Sequence, residues 1–159
     1  MRFAILPLLL LAACSDDEAE PTAEDARKMV EASQRIPSQE LVLEPIAFAD
    51  VETAGAFGFS CAFATAGDPD DIVALAMRDM GFLKSGGTMQ RFAADKGSGE
   101  TVAGSWTNYD GAANTFTLTL DGKGAPGGPE TTRYPARLIV EDSEGGVVYD
   151  AEGSAVCGV

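Results

Sequence analysis

The sequence predicts a mainly β protein: a single compact antiparallel β-sandwich or small β-barrel, preceded by a signal peptide, an acidic tether and one short helix. Three observations carry that expectation. From Leu41 onward apolar residues alternate with polar ones, and Gly and Pro recur between the alternating runs, the pattern of short strands joined by turns. The chain has 159 residues, 45% hydrophobic and 23% charged, which suits one ordinary domain with a real core and not a disordered polyelectrolyte. The residues before position 41 show neither the alternation nor the punctuation, so the β domain spans 41–159 and something else precedes it.

Met1 and Arg2 form a short positive start, and residues 3–11 are an apolar run carrying Pro7. The run is too short to cross a bilayer but matches the core of a secretory signal, which gives a cleaved signal peptide over residues 1–13. Residues 15–20, SDDEAE, hold four acidic side chains and nothing apolar larger than Ala, so residues 14–21 are expected to be a solvated tether with a reach of roughly 20 Å at ~3.3–3.6 Å per residue. A helix is expected over 22–37. Glu24 and Asp25 lie in its first turn, Arg35 in its last, Pro37 ends it, and Ala26, Met29, Val30, Ser33 and Ile36 recur near helical spacing.

Within the β domain, Leu41, Leu43 and Ile46 begin the alternation, interrupted by Pro45. The clearest strand is read over residues 57–63, with Phe57, Phe59, Cys61 and Phe63 on one buried face. The stretch 72–77 admits a short helix, with Asp68-Pro69 as cap and Gly81 beyond its end, or a strand leading into a tight hairpin around Ser85-Gly86-Gly87. The strand is preferred, since it extends that hairpin into a meander. Asn114 to Leu120 alternates without a fault, Phe116, Leu118 and Leu120 against Thr115, Thr117 and Thr119, as a strand with one solvated face does. Tyr134, Ala136, Leu138 and Val140 alternate into the turn Asp142-Ser143-Glu144-Gly145-Gly146, and Val147 to Cys157 returns as the second arm of a C-terminal hairpin; a regular strand carries Cys157 on the same face as Tyr149, and the alternative is a bulge at Gly153 that shifts it by one. Residues 95–100 and 122–130 are too rich in Gly and Pro for regular structure and are read as loops. Turn spacing implies about six to eight strands.

Charge narrows the function. The chain has 11 Lys and Arg against 25 Asp and Glu, a net of -14, with no basic cluster. Nucleic-acid partners and polybasic membrane docking are both excluded on that ground, because each needs a cationic stripe to meet phosphates. No His is present, which removes Ser-His-Asp and Cys-His designs, and no phosphate-binding loop, dinucleotide fingerprint or Cys-x-x-Cys occurs; no cofactor or metal is expected. Carboxylates remain, in Asp68/Asp70/Asp71, Asp110/Asp121 and Glu141/Asp142/Glu144, but each group falls in an expected turn, where Asp serves the backbone. An enzyme built on carboxylates alone is therefore the least favoured reading. Trp106 and Tyr109 lie in the polar stretch Ser105-Trp106-Thr107-Asn108-Tyr109 and, with Ser85 and Gly86, form the candidate binding surface; the alternative is that Trp106 caps the core.

The apolar run closes with Leu11-Ala12-Ala13-Cys14, which resembles the lipobox of bacterial lipoproteins. The resemblance implies cleavage before Cys14, acylation of that cysteine, and permanent attachment to a membrane, at about 0.8 kcal/mol per buried CH₂. The residue after the cysteine is Ser15, with Asp16 next; in the family rule, Asp directly after the cysteine favours the inner membrane, so the expected address is the inner leaflet of the outer membrane, with the domain facing the periplasm. With Cys14 lipidated, Cys61 and Cys157 remain as an even pair in an exported chain, expected to form a disulfide from the first strong strand to the last; two free buried thiols are the alternative.

The folded region resembles short envelope lipoproteins of Gram-negative bacteria. A small lipoprotein whose β domain is bridged end to end is also similar to the membrane-bound inhibitors of C-type lysozyme, in which a Ser-Gly-x-x-Tyr loop enters the lysozyme cleft. Here Ser85-Gly86-Gly87-Thr88 carries the start of that motif and Met89 stands at the Tyr position. The sequence thus points to a non-enzymatic envelope module that binds or assists an envelope protein partner, with a lysozyme-type inhibitor as the second reading.

Overall fold

The computed structural model describes residues 22–34 and 39–158. The signal peptide, Cys14, the tether and the end of the first helix lie outside the described residues. The chain divides into two units between Pro37 and Ser38.

The first unit contains helix α1 (Ala23–Gln34). Thr22 and Asp25 cap it reciprocally: the Asp25 N–H donates to Thr22 Oγ1 at 3.2 Å, and the Thr22 N–H donates to the Asp25 carboxylate at 3.2 Å. Met29 and Val30 on α1 are exposed.

The second unit starts with an extended segment and a short helix, α2 (Phe48–Ala54), and continues through β1 (Ser60–Thr65), β2 (Ile72–Met77), β3 (Met80–Ser85), β4 (Thr88–Ala94), β5 (Asn108–Asp110), β6 (Asn114–Leu120), β7 (Ala125–Gly128), β8 (Thr131–Asp142) and β9 (Val147–Gly158). Consecutive strands pair antiparallel from β1 to β6, β6 then pairs with β8, β8 with β9, and β9 returns to β1. The result is a closed eight-stranded up-and-down barrel, with β7 lying beside the first residues of β8. Closure removes the edges that an open sheet would expose, except where β4 runs on past its short pairing with β5.

Alternation explains the inside. Phe63, Leu83, Phe92, Tyr109, Phe116 and Leu138 all turn inward and are essentially inaccessible. Their rings interlock: Tyr109 stacks on Phe116 with centroids 4.7 Å apart, and Phe92 meets Phe116 edge-on at 5.0 Å. Gly81 makes room for this cluster, since a Cβ there would lie 2.5 Å from the Phe116 ring. Large side chains therefore fill the barrel, as they do in small barrels generally.

A second apolar cluster lies outside the wall. Ile46, Ala56, Leu75, Met77 and Phe82 are buried beneath Val51 and Ala54 of α2. β2 is covered on both faces, from inside by the core and from outside by this cluster. That is why Ile72 to Met77 reads as a continuous apolar run, and why its sequence alone admitted helix and strand.

Both barrel ends are closed by chain. At one end the segment before α2 crosses over the strands: the amides of Leu41, Glu44 and Ile46 donate to the carbonyls of Val148, Lys84 and Ile72 at 2.7–2.8 Å, and Leu41 and Leu43 pack onto the core. At the other end the β4–β5 connection folds back through a single 3-10 turn (Val102–Gly104), bringing Val102 and Trp106 onto the core.

The structure corrects three expectations and decides one alternative. Residues 41–46 are a lid strand-like in spacing but not part of the sheet, and the helix after them was missed because seven residues with Asp50 near the start and Gly55 at the end, φ 65°, give too short a pattern to register. β1 begins at Ser60; Phe57 is 60% exposed and Gly58 has φ 114°, which breaks the extended run expected from residue 57. The Gly- and Pro-rich stretch read as loop contains β7, held by pairing with β8 against its poor propensity. In β9 the regular reading holds, with an unbroken register from Tyr149 through Gly153 to Cys157, and the one bulge falls at Val148, between Val140↔Tyr149 and Glu141↔Val147.

Candidate binding surface

Cys61 and Cys157 stand directly opposite each other on β1 and β9, bonded at 2.06 Å between sulfurs and 96 residues apart in sequence. The disulfide thus lies on the seam that closes the barrel, joining its first strand to its last, and both cysteines are buried. Ser105 is packed beside it, its Oγ 3.6 Å from Cys61 Sγ and donating to the Val102 carbonyl at 2.9 Å.

Tyr109 belongs to this interior and not to a binding surface. It is wholly buried on β5, and its hydroxyl donates to the Met77 carbonyl at 2.7 Å while accepting the Trp106 N–H at 3.0 Å. Burial pushes its phenol above the ordinary tyrosine value. The sequence placed it in an exposed stretch because its neighbours are polar; the inward parity of a three-residue strand leaves too little alternation to see. Trp106 is half-buried, with its indole N–H donated to the Arg78 carbonyl at 3.0 Å, so it caps the core as the alternative reading held.

Ser85 and Gly86 are at the tip of the β3–β4 hairpin. Gly86 and Gly87 have φ of 57° and 71°, the left-handed pair that a type I′ turn requires. The Gly87 N–H donates to both carboxylate oxygens of Glu44, at 3.0 and 3.2 Å, which ties the tip to the segment crossing the barrel end. One turn below, Lys84 donates to Asp50 at 2.6 Å with both side chains mostly covered, and this contact, with the Ala47 N–H at 2.8 Å, holds the Asp50 carboxyl below the usual carboxylate range. Arg91 lies 5.6 Å above the Phe82 ring and donates to the Ala54 carbonyl at the end of α2 at 3.2 Å. Between α2 and the hairpin, Asp50, Ala54, Phe82, Gly87 and Arg91 line a groove of about 370 Å³ together with Thr53, Thr88 and Met89.

Sequence reading found the tip of this hairpin and missed Glu44, Asp50, Phe82 and Arg91 around it. No local signal marks them; they meet only through strand register and the path of α2.

Asp68 and Asp142 serve the backbone of turns, whereas Asp110 lies in β5 and Glu141 in β8, not in the turns expected of them. Asp68 accepts the Asp70 N–H, and Asp142 accepts the N–H groups of Glu144 and Gly146, at 2.8–3.0 Å, as turn residues do. Asp79 and Asp150 are paired with Lys96 and Arg137, contacts that hold both carboxyls below their usual range. Among the described residues no three acidic or cysteine side chains converge on a point where a metal could sit. No family profile, curated protein or solved structure matches the chain.

Proposed function

We propose that this chain is a non-enzymatic envelope lipoprotein, a periplasm-facing binding or accessory module held by acylated Cys14 to the inner leaflet of the outer membrane. One observation carries the reading: the Cys61–Cys157 disulfide consumes two of the three cysteines and leaves Cys14, at the end of the apolar N-terminal run, as the third. A buried disulfide suits an oxidising compartment, and a cysteine after Leu11-Ala12-Ala13 suits a lipid anchor. The filled barrel and the use of Asp side chains in turns and ion pairs favour a binding role over carboxylate catalysis.

Cys14→Ala expressed beside the natural sequence tests the anchor. The natural chain is expected in the membrane fraction, labelled by a fatty-acid analogue, and the variant in the soluble fraction without label. A variant that stays with the membrane and keeps the label overturns the reading.

A second reading, a lysozyme-type inhibitor, is favoured by the exposed tip of the β3–β4 hairpin, where the Ser-Gly start of the inhibitor motif stands. Unchanged activity of a C-type lysozyme at saturating protein removes it.

A further inference from the structure

The weakest part of the barrel wall is the seam between β4 and β5, which is paired only at Ala93↔Asp110 and Ala94↔Tyr109. Above that level β4 continues for five residues with no strand on its outer side.

The direction of its hydrogen bonds follows from the turn. In a two-residue type I′ hairpin the flanking residues, here Ser85 and Thr88, bond to each other, and the next bonded pairs are Leu83↔Gln90 and Gly81↔Phe92. The residues between them point their backbone groups away from the hairpin. Two contacts confirm the parity: the Lys84 carbonyl accepts the Glu44 N–H from the far side, and Ala93 pairs outward with Asp110. Met89 and Arg91 share the parity of Ala93, so their N–H and C=O groups face the gap. Among the described residues no other element donates to or accepts from those groups. The turn after β5 stops level with Phe92, whose ring lies 2.7 Å from where a Gly111 Cβ would be, leaving a slot of roughly 13 Å at ~3.4 Å per residue.

We propose that this open edge of β4 is a docking site for an extended polypeptide segment of a partner protein, added as an antiparallel strand with an Asp or Glu side chain opposite Arg91. Met89 and Arg91 supply the backbone donors and acceptors, and the added strand's side chains on their face lie alongside the Met89 and Arg91 side chains, which line the groove beside α2. The carboxylate is specified by Arg91, whose guanidinium rests over Phe82 and on the Ala54 carbonyl, has no acidic partner among the described residues in a chain of net charge -14, and on a flexible side chain can turn to a carboxylate on the added strand. The same charge disfavours a second copy as the occupant, since two such chains repel. The proposal deepens the binding-module reading and rests on it only in assuming a protein partner; it does not depend on Cys14.

The test uses the full chain and the probe acetyl-Thr-Val-Asp-Val-Thr-Val-amide, followed by residue-resolved amide hydrogen exchange. In the free chain the Met89 and Arg91 amides are expected to exchange fast while Gln90 and Phe92 are protected, and saturating probe is expected to protect Met89 and Arg91. Arg91→Ala should weaken binding about tenfold or more, the loss typical of a charge-assisted contact. Replacing the probe's Asp by Lys should weaken it similarly. Met89→Pro removes an outward donor without touching the β3 ladder and should abolish binding while Gln90 stays protected. Met89 and Arg91 amides already protected in the free chain would mean that the edge is filled by this chain, or by a second copy if protection rises with concentration, and either overturns the proposal. So does the failure of millimolar probe to protect them. A failed Cys14→Ala test leaves these outcomes unchanged, which separates the two claims.

Discussion

Replacing Cys61 and Cys157 together by alanine should leave the barrel formed but much easier to unfold. The bridge links residues 96 apart, so in the chain-entropy account it removes about 4.7 kcal/mol of freedom from the unfolded chain, close to the value for a 100-residue loop. The folded barrel keeps the β1–β9 seam without it, because six residue pairs from Ser60↔Gly158 to Thr65↔Gly153 still hold the two strands together. The cost therefore lies almost wholly in the unfolded state. Guanidinium denaturation followed by tryptophan fluorescence and far-ultraviolet circular dichroism should show an unchanged native spectrum and a midpoint lower by roughly 1–2 M, given denaturant slopes of about 2–6 kcal/mol/M for small domains. A domain at the low end of ordinary stability, about 5–15 kcal/mol, survives such a loss only narrowly, and one at the high end survives it with room to spare. A loss below about 1 kcal/mol with the native spectrum intact would refute the reasoning, since it would mean that the bridge does not restrain the unfolded chain.

Two further outcomes follow from the interior. Tyr109→Phe removes the hydroxyl that serves the Met77 carbonyl and the Trp106 N–H, at a cost of roughly 1–3 kcal/mol in the midpoint of chemical unfolding at pH 7. Because burial raises the Tyr109 phenol above 10.0, the unfolded chain loses that proton first; the contribution is full below about pH 10 and is lost as pH rises toward the folded value. Tyr109→Phe should flatten the decline of stability between pH 9 and 11, and equal slopes in the two proteins would contradict the assignment. Gly153→Ala would drive a methyl into the Ala64 carbonyl oxygen, which is backbone and cannot swing away, whereas Gly67→Ala meets nothing. Thermal melts should show a loss of about 1–3 kcal/mol or more for the first and a change within ~0.5 kcal/mol for the second.

The sequence made the strands with one wet face legible. β6, with Phe116 and Leu118 against its threonines, and the β8–β9 hairpin were visible because alternation records burial on one side only. β2 was ambiguous for the converse reason: both its faces are covered, and a run buried on both sides carries no period. α2 and β7 were missed, being short elements held by contacts with the barrel and not by their own propensity. At the candidate site, the Gly86-Gly87 turn could be read locally, but the open edge of β4 could not, since it exists only because β5 is short and pairs from Ala93 downward.

Composition and alternation by themselves determined an acidic β domain with Cys61 and Cys157 on the apolar faces of its strands, because burial and charge leave their marks residue by residue along the chain; that these two pair was implied by the lipobox resemblance of Cys14. Only the tertiary structure decided that the sheet closes through β1 and β9, that Tyr109 turns inward while Arg91 lies over Phe82 at the end of α2, and that one edge is left open. Those depend on which strands lie side by side, and register joins residues whose separation in sequence carries no local trace.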